Sequence, residues 1–110
     1  SINLSYFSMD CYKDFLNKKQ YRVKQIEVEQ RNLNSILSNE LKNVNKIDVL
    51  EIDIEGGEFN CLKGLDLNKY SPSVILLENM DNNKEISNYL RKFNYTLDQK
   101  YHFNEFYIKQ

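Results

Sequence analysis

The chain has 110 residues, room for one modest domain, and its 41% hydrophobic and 28% charged content excludes wholesale disorder. Its 15 basic and 16 acidic residues are interspersed and leave a net charge of -1, so no basic stripe offers the attraction that nucleic-acid binding needs. No apolar run approaches the ~20 residues that span a bilayer, and no charged segment followed by an apolar one reads as a secretory signal. A cytoplasmic protein with no nucleic-acid or membrane partner is expected. Cys11 and Cys61 form no CxxC pair and read as reduced thiols.

Residues 1–21 form the least legible part of the chain, although Tyr12, Phe15 and Leu16 could mark a short helix. In residues 22–30, Ile26 and Val28 alternate with charged neighbours, the pattern of a half-buried strand. From Leu33 the period changes, and Leu33, Ile36, Leu37, Leu41 and Val44 share one helical face. Ile47 to Ile54 reads as a strand feeding the Gly56-Gly57 turn. A short helix should follow, with Phe59 and Leu62 inward and Gly64 as its stop. Pro72 opens the unbroken apolar run Val74-Ile75-Leu76-Leu77, which ends in Glu78 and predicts a strand covered on both faces.

Asn82 with Glu85 resembles a capping box, and Ile86, Tyr89, Leu90 and Phe93 lie at i, i+3, i+4 and i+7 of an amphipathic helix. Residues 95–109 hold aromatic residues in two bursts around Asn104-Glu105, which predicts an antiparallel hairpin. The aromatic rings at 95, 101, 103, 106 and 107 read as packing, and His102 as structural. Alternating strands and helices predict a single α/β domain with a mostly parallel sheet, helices on both faces and a C-terminal antiparallel hairpin.

In open α/β sheets, ligands bind beyond the carboxyl ends of the strands. Both such places here hold carboxylates: Asp53-Ile54-Glu55-Gly56-Gly57-Glu58 after one strand and Glu78 after the next. Strand parity sets Glu51, Asp53 and Glu55 on one face, about 6–7 Å apart. Crowded like charges raise a carboxylate's pKa or call for a cation, and either suits a base or a site that receives a positive group. Simpler roles exist as well. Glu58 in a helix's first turn complements the dipole, Asp53 or Glu55 could cap that helix, and Gly56-Gly57 could serve the turn alone. Asp53-Ile54-Glu55 also fits the D-x-E of metal-dependent exonucleases, but the sole histidine, His102, has no aspartate downstream.

The stretch Ile47-Asp48-Val49-Leu50-Glu51-Ile52-Asp53-Ile54-Glu55-Gly56-Gly57-Glu58, followed by Cys61-Leu62-Lys63-Gly64, resembles the signature of FkbM-type methyltransferases, roughly I-D-x-L-K-I-D-x-E-G-x-E with L-x-G after it. Leu33 to Leu37 resembles that family's preceding helix and Ser73 to Glu78 its next strand, so the resemblance covers about residues 24–109. It implies a Rossmann-like enzyme that moves a methyl group from S-adenosylmethionine to a hydroxyl, on a sugar or other small-molecule acceptor. Asp53 and Glu55 are then the catalytic candidates, and Glu58, Glu78 and Glu51 the acceptor-binding ones. No metal ligand is assigned.

Two departures from the pattern bear on function. Glu51 stands where the family usually carries Lys. The only glycines are Gly56, Gly57 and Gly64, so no G-x-G turn marks a cofactor-binding loop. The resemblance therefore places the cofactor-binding half upstream of Ser1, and residues 1–110 alone are expected not to methylate. They are expected to be poorly soluble or to self-associate through an exposed strand edge, and the alternative function is a non-catalytic remnant or binding module of the same fold.

Overall fold

The computed structural model describes residues 2–3 and 24–110 and divides the chain into two units, residues 1–31 and 32–110. In the first unit, β1 (Ile2–Asn3) pairs antiparallel with β2 (Glu27–Val28), Ile2 opposite Val28. The strand predicted over 22–30 is thus short, and Ile26 and Val28 are exposed rather than half-buried. The helix suggested around Tyr12 and the thiol of Cys11 lie outside the described residues.

The second unit begins with α1 (Leu33–Glu40), capped by Asn32, whose side chain accepts from the Ser35 N–H at 2.7 Å. The chain then enters β3 (Val49–Ile52), α2 (Glu58–Lys63), α3 (Leu67–Tyr70) and β4 (Val74–Glu78). Asp66 caps α3 through the amides of Asn68 and Lys69, and Ser71 in the left-handed region ends it before the buried Pro72. β3 and β4 pair in parallel, from Val49 opposite Val74 to Ile52 opposite Leu77.

Next come α4 (Lys84–Arg91), β5 (Tyr95–Tyr101) and β6 (Asn104–Lys109). The cap of α4 is Asn83, one residue later than the expected Asn82. Asn82 takes φ 51°, and the extended Asn83 accepts from the Glu85 N–H. The hairpin turns at His102-Phe103 rather than at Asn104-Glu105. His102 adopts φ 53°, and Asn104 already pairs with Glu78 and with Tyr101. The hairpin is tied to the body where the Tyr95 hydroxyl donates to the Pro72 carbonyl at 2.6 Å and Lys109 Nζ donates to the Phe93 carbonyl at 2.7 Å.

The sheet order is β3-β4-β6-β5. A mostly parallel sheet was expected, and the structure corrects this. β3 and β4 make the parallel pair, whereas β4–β6 and β6–β5 are antiparallel. The reason is that β6 folds back between β4 and β5. β3, β4 and β5 still run in one direction, so the carboxyl ends of β3 and β4 lie at the same end of the sheet as the His102-Phe103 turn.

The core is one cluster of Ile52, Ile75, Leu77, Tyr95 and Tyr107 from the sheet with Leu62, Leu65, Leu67, Tyr70, Ile86 and Leu90 from the helical segments. Leu33 and Leu37 of α1 pack against the same cluster, so helices on both faces are not seen among the described residues. The alternate face of β4 and its neighbours carries half-buried Val74, Leu76 and Phe106 beside exposed Val49. Tyr101 and Phe103, read from sequence as packing, are exposed at 68% and 52%.

Gly64 does cap α2, but with φ -79°, so no left-handed turn demands glycine there. Close approach does. A Cβ at this position would meet the Asn32 Cβ at 3.0 Å and the Cys61 carbonyl at 3.2 Å, while the Gly64 carbonyl receives the Asn34 N–H at 2.9 Å. Gly64→Ala should push the α1 cap off α2 and cost about 1–2 kcal/mol in denaturant unfolding.

Candidate functional site

β3 ends at Ile52, and the next residues make a tight turn in which Glu55 has φ 58° and Gly56 φ 112°. Only glycine takes the second conformation without strain, which gives one glycine of the motif its physical reason. The turn directs backbone amides inward, and Glu58 in the first turn of α2 reaches back to them. Its Oε1 accepts from the N–H groups of Ile54 at 3.1 Å and Gly56 at 2.9 Å, and its Oε2 from Gly56 at 3.1 Å. Glu58 is 6% exposed. A buried carboxylate held by backbone donors is a strong, charge-assisted arrangement. It fixes the turn, a structural role beyond the dipole role weighed from sequence.

Asp53 is exposed, and it converges with Glu58 and Glu78 so that one oxygen from each lies within 4.8 Å of the others. Carboxylates at that spacing can share a proton or hold a cation between them. Glu78 shows the strain most clearly. Burial, and then the charges of Asp53, Glu55 and Glu58, push its pKa above the usual carboxylate range. Its Oε2 is buried without a hydrogen-bond partner.

Beside this trio lies a pocket of about 50 Å³ whose wall includes Gly56, Glu58, Phe59, Glu78, Asn79 and Met80. Asp81 completes its acidic lining, and no cationic side chain lines it. The structure therefore brings together Asp53, Glu58 and Glu78 of the residues singled out from sequence. Glu55 is exposed and outside the trio, although its charge reaches Glu78. Glu51 is exposed on β3 opposite Leu76, two residues before Glu78. The D-x-E pair of the exonuclease reading is not the pair that converges.

Sequence reasoning missed Asn79 and Glu105, which are 6% and 4% exposed. Asn79 Nδ2 donates to Glu105 Oε1 at 3.2 Å, and Asn79 Oδ1 accepts the Asn83 N–H at 2.7 Å. Glu105 Oε1 also receives Lys100 Nζ at 3.3 Å, and Oε2 receives the Tyr107 hydroxyl at 2.6 Å. Burial first, and then this carboxylate, raise the Tyr107 pKa well above the phenolic range. Asn79 directly follows Glu78, so its place after a strand-end carboxylate was the one available signal.

A family model described as the methyltransferase FkbM domain matches residues 6–100. The chain belongs to this family. The matched range begins further upstream than the resemblance read from the motif. No significant match was found among curated proteins or solved structures. Among the described residues no helix is long and apolar enough to cross a membrane.

Glu58 and Glu78 should separate cleanly in thermal unfolding followed across pH. Glu58→Gln removes the charge from three backbone contacts and should destabilise by about 1–3 kcal/mol at neutral pH. Glu78 binds its proton more tightly in the folded chain, so folding stability falls as pH rises from the unfolded value through the folded one. Glu78→Gln should abolish that fall. The variant should melt a few degrees higher than wild type at neutral pH and match it near pH ~4, the unfolded glutamate range.

Proposed function

We propose that this chain forms the acceptor side of an S-adenosylmethionine-dependent O-methyltransferase, with Asp53 as the base that takes the proton from the acceptor hydroxyl. The observation that carries the reading is the convergence of Asp53 with Glu58 and Glu78 at the carboxyl ends of β3 and β4, in a chain of the FkbM family.

The cofactor's fit can be judged from the donor set. S-adenosylmethionine supplies an electrophilic methyl group on a positively charged sulfur. A pocket with acidic and no cationic side chains suits the approach of that charge. A volume of about 50 Å³ is well short of the 300–1,000 Å³ that enclose a drug-sized ligand, so these residues would meet only the reacting end. The nucleoside would be held elsewhere, in keeping with the lack of any G-x-G turn in the sequence.

Within that frame the side chains divide the work. Glu58 holds the turn that carries Asp53 and keeps its carboxylate directed inward. Asp53 is the accessible member of the trio and the one able to reach a substrate hydroxyl. Glu78, whose carboxyl is pushed above its ordinary range by burial and the neighbouring acids, could receive a proton relayed from Asp53. Glu55 and Glu51 would contribute negative potential at the rim. Methyl transfer by direct displacement depends above all on holding oxygen, carbon and sulfur in line, and a fixed turn serves that alignment.

A sugar or other hydroxyl-bearing small molecule suits the surroundings. Carboxylates accept hydrogen bonds from hydroxyl groups, and the Phe103 carbonyl is bonded to the Asn79 amide at 2.7 Å, which brings the exposed Phe103 to this end of the sheet. Self-association is part of the same reading. Among the described residues β3 pairs with β4 alone, and its other edge, with Val49 62% exposed, is open.

In methyl transfer by the intact protein, Asp53→Asn should lower kcat by about 10²–10⁴-fold while leaving the melting temperature near wild type. Unchanged kcat would remove Asp53 as the base. Acceptor binding without any methyl transfer by wild type would favour the non-catalytic binding module instead.

A further inference from the structure

The loop of residues 79–83 joins β4 to α4 and supplies Asn79, Met80, Asp81 and Asn83 to the pocket wall. Its packing does not hold it, because Met80, Asp81 and Asn82 are all exposed. Its conformation is instead fixed by polar contacts that converge on the one buried residue within it. Asn79 closes the loop on itself by accepting the Asn83 N–H at 2.7 Å and donating to the Asn83 carbonyl at 3.2 Å. It anchors the loop to the hairpin through its own N–H on the Phe103 carbonyl at 2.7 Å and through Nδ2 on Glu105 at 3.2 Å.

Glu105 is the other half of the arrangement. It is a carboxylate 4% exposed, opposite Leu77 in the β4–β6 register and so on the helix-bearing face of the sheet, the face opposite Glu78. Burying a charge is costly unless it is paired and hydrogen-bonded. Here it is bonded by Asn79, Lys100 and Tyr107. Lys100 also reaches Asn82 Oδ1 at 3.4 Å, which makes a second tie from the hairpin to the same loop. A core stabilised only by packing would be served as well by an apolar residue at 105. What the carboxylate adds is a directional acceptor aimed at the side chain that closes the loop.

We propose that Asn79 and Glu105 are positioning residues: together they clamp the 79–83 loop and thereby set the shape of the acceptor pocket beside Asp53. The clamp itself is a property of the fold. Its kinetic consequence rests on the methyl-transfer reading above. Neither side chain touches the reacting atoms, and their effect reaches the acceptor through the loop.

The test is an exchange of chemistry between the two positions. Asn79→Asp sets a second carboxylate against Glu105 and removes the bridging donor, while the Asn83 N–H keeps an acceptor. Adding Glu105→Gln restores a donor–acceptor pair of opposite sense at unchanged net charge. Amide hydrogen exchange read residue by residue should show the 80–83 amides opening about tenfold faster in Asn79→Asp, a change worth about 1.4 kcal/mol of local stability. The β4 and β6 amides should be little altered, and the double variant should recover most of the protection. In turnover, Asn79→Asp should raise the acceptor KM about tenfold at nearly constant kcat and constant cofactor KM, and the double variant should lower it again.

If Asn79→Asp does not fold, Asn79→Ser removes the same donor without adding charge and should give the same local signature. Unchanged exchange at 80–83, or faster exchange spread evenly over the whole sheet, would overturn the clamp. So would a loss confined to kcat. Should wild type transfer no methyl group while the local exchange pattern appears and is rescued, the clamp stands and the methyl-transfer reading falls.

Discussion

The acidic end of this sheet depends on the Glu58 carboxylate, buried and bonded to the amides of Ile54 and Gly56. A strand that stops at Ile52 and restarts as a helix at Glu58 must turn within a few residues, and its amides lose their strand partners there. A carboxylate supplied from the first turn of the following helix satisfies two of them at once. The turn it stabilises needs a left-handed residue followed by a glycine, and Glu55 and Gly56 provide them. With those requirements met locally, Asp53 stays free at the strand end. The D-x-E-G-x-E run thus separates into residues that make the turn and one residue that the turn presents.

That separation explains what sequence could and could not reveal. The carboxylates at both strand ends were legible because a strand bounded by Gly-Gly and an apolar run ending in Glu are local patterns, and topology says where strand ends lead. The role of Glu58 was ambiguous because an acid at a helix start can serve the dipole or an acceptor equally well, and its actual bonds depend on where the turn's amides point. The cap of α4 was misplaced by one residue for a similar reason. Asn82 and Asn83 have the same chemistry, and the left-handed backbone of Asn82, together with the grip of Asn79 on Asn83, decides between them. The hairpin turn moved to His102-Phe103 because pairing with Glu78 draws Asn104 into the strand.

The strand arrangement was less legible still. Periodicity identifies strands and their faces, but it does not say which strand lies beside which. Here the last strand inserts next to β4 and displaces β5 to the edge, so antiparallel pairings outnumber parallel ones in a sheet where only β6 runs against the others. Nothing in Tyr95 to Lys109 encodes that insertion locally. It follows from the buried tyrosines: Tyr107 lies opposite Ile75 in the core, and Tyr95 reaches the Pro72 carbonyl from the far side of β6. Glu105 is buried by the same insertion. Its partner Asn79 is distant along the chain, which is why no spacing in the sequence could pair them.

The two buried carboxylates therefore do opposite things with the same chemistry. Glu58 takes donors from its own turn, and Glu105 takes them from the 79–83 loop, from β5 and from its own strand. Glu78 differs from both, since one of its oxygens has no donor. Beside the fully bonded Glu58 and Glu105, that unfilled acceptor marks where bonding capacity has been left over. Its burial and the charges of Asp53, Glu55 and Glu58 raise the free energy of the ionised form, so a proton or a cationic group arriving there relieves strain already present.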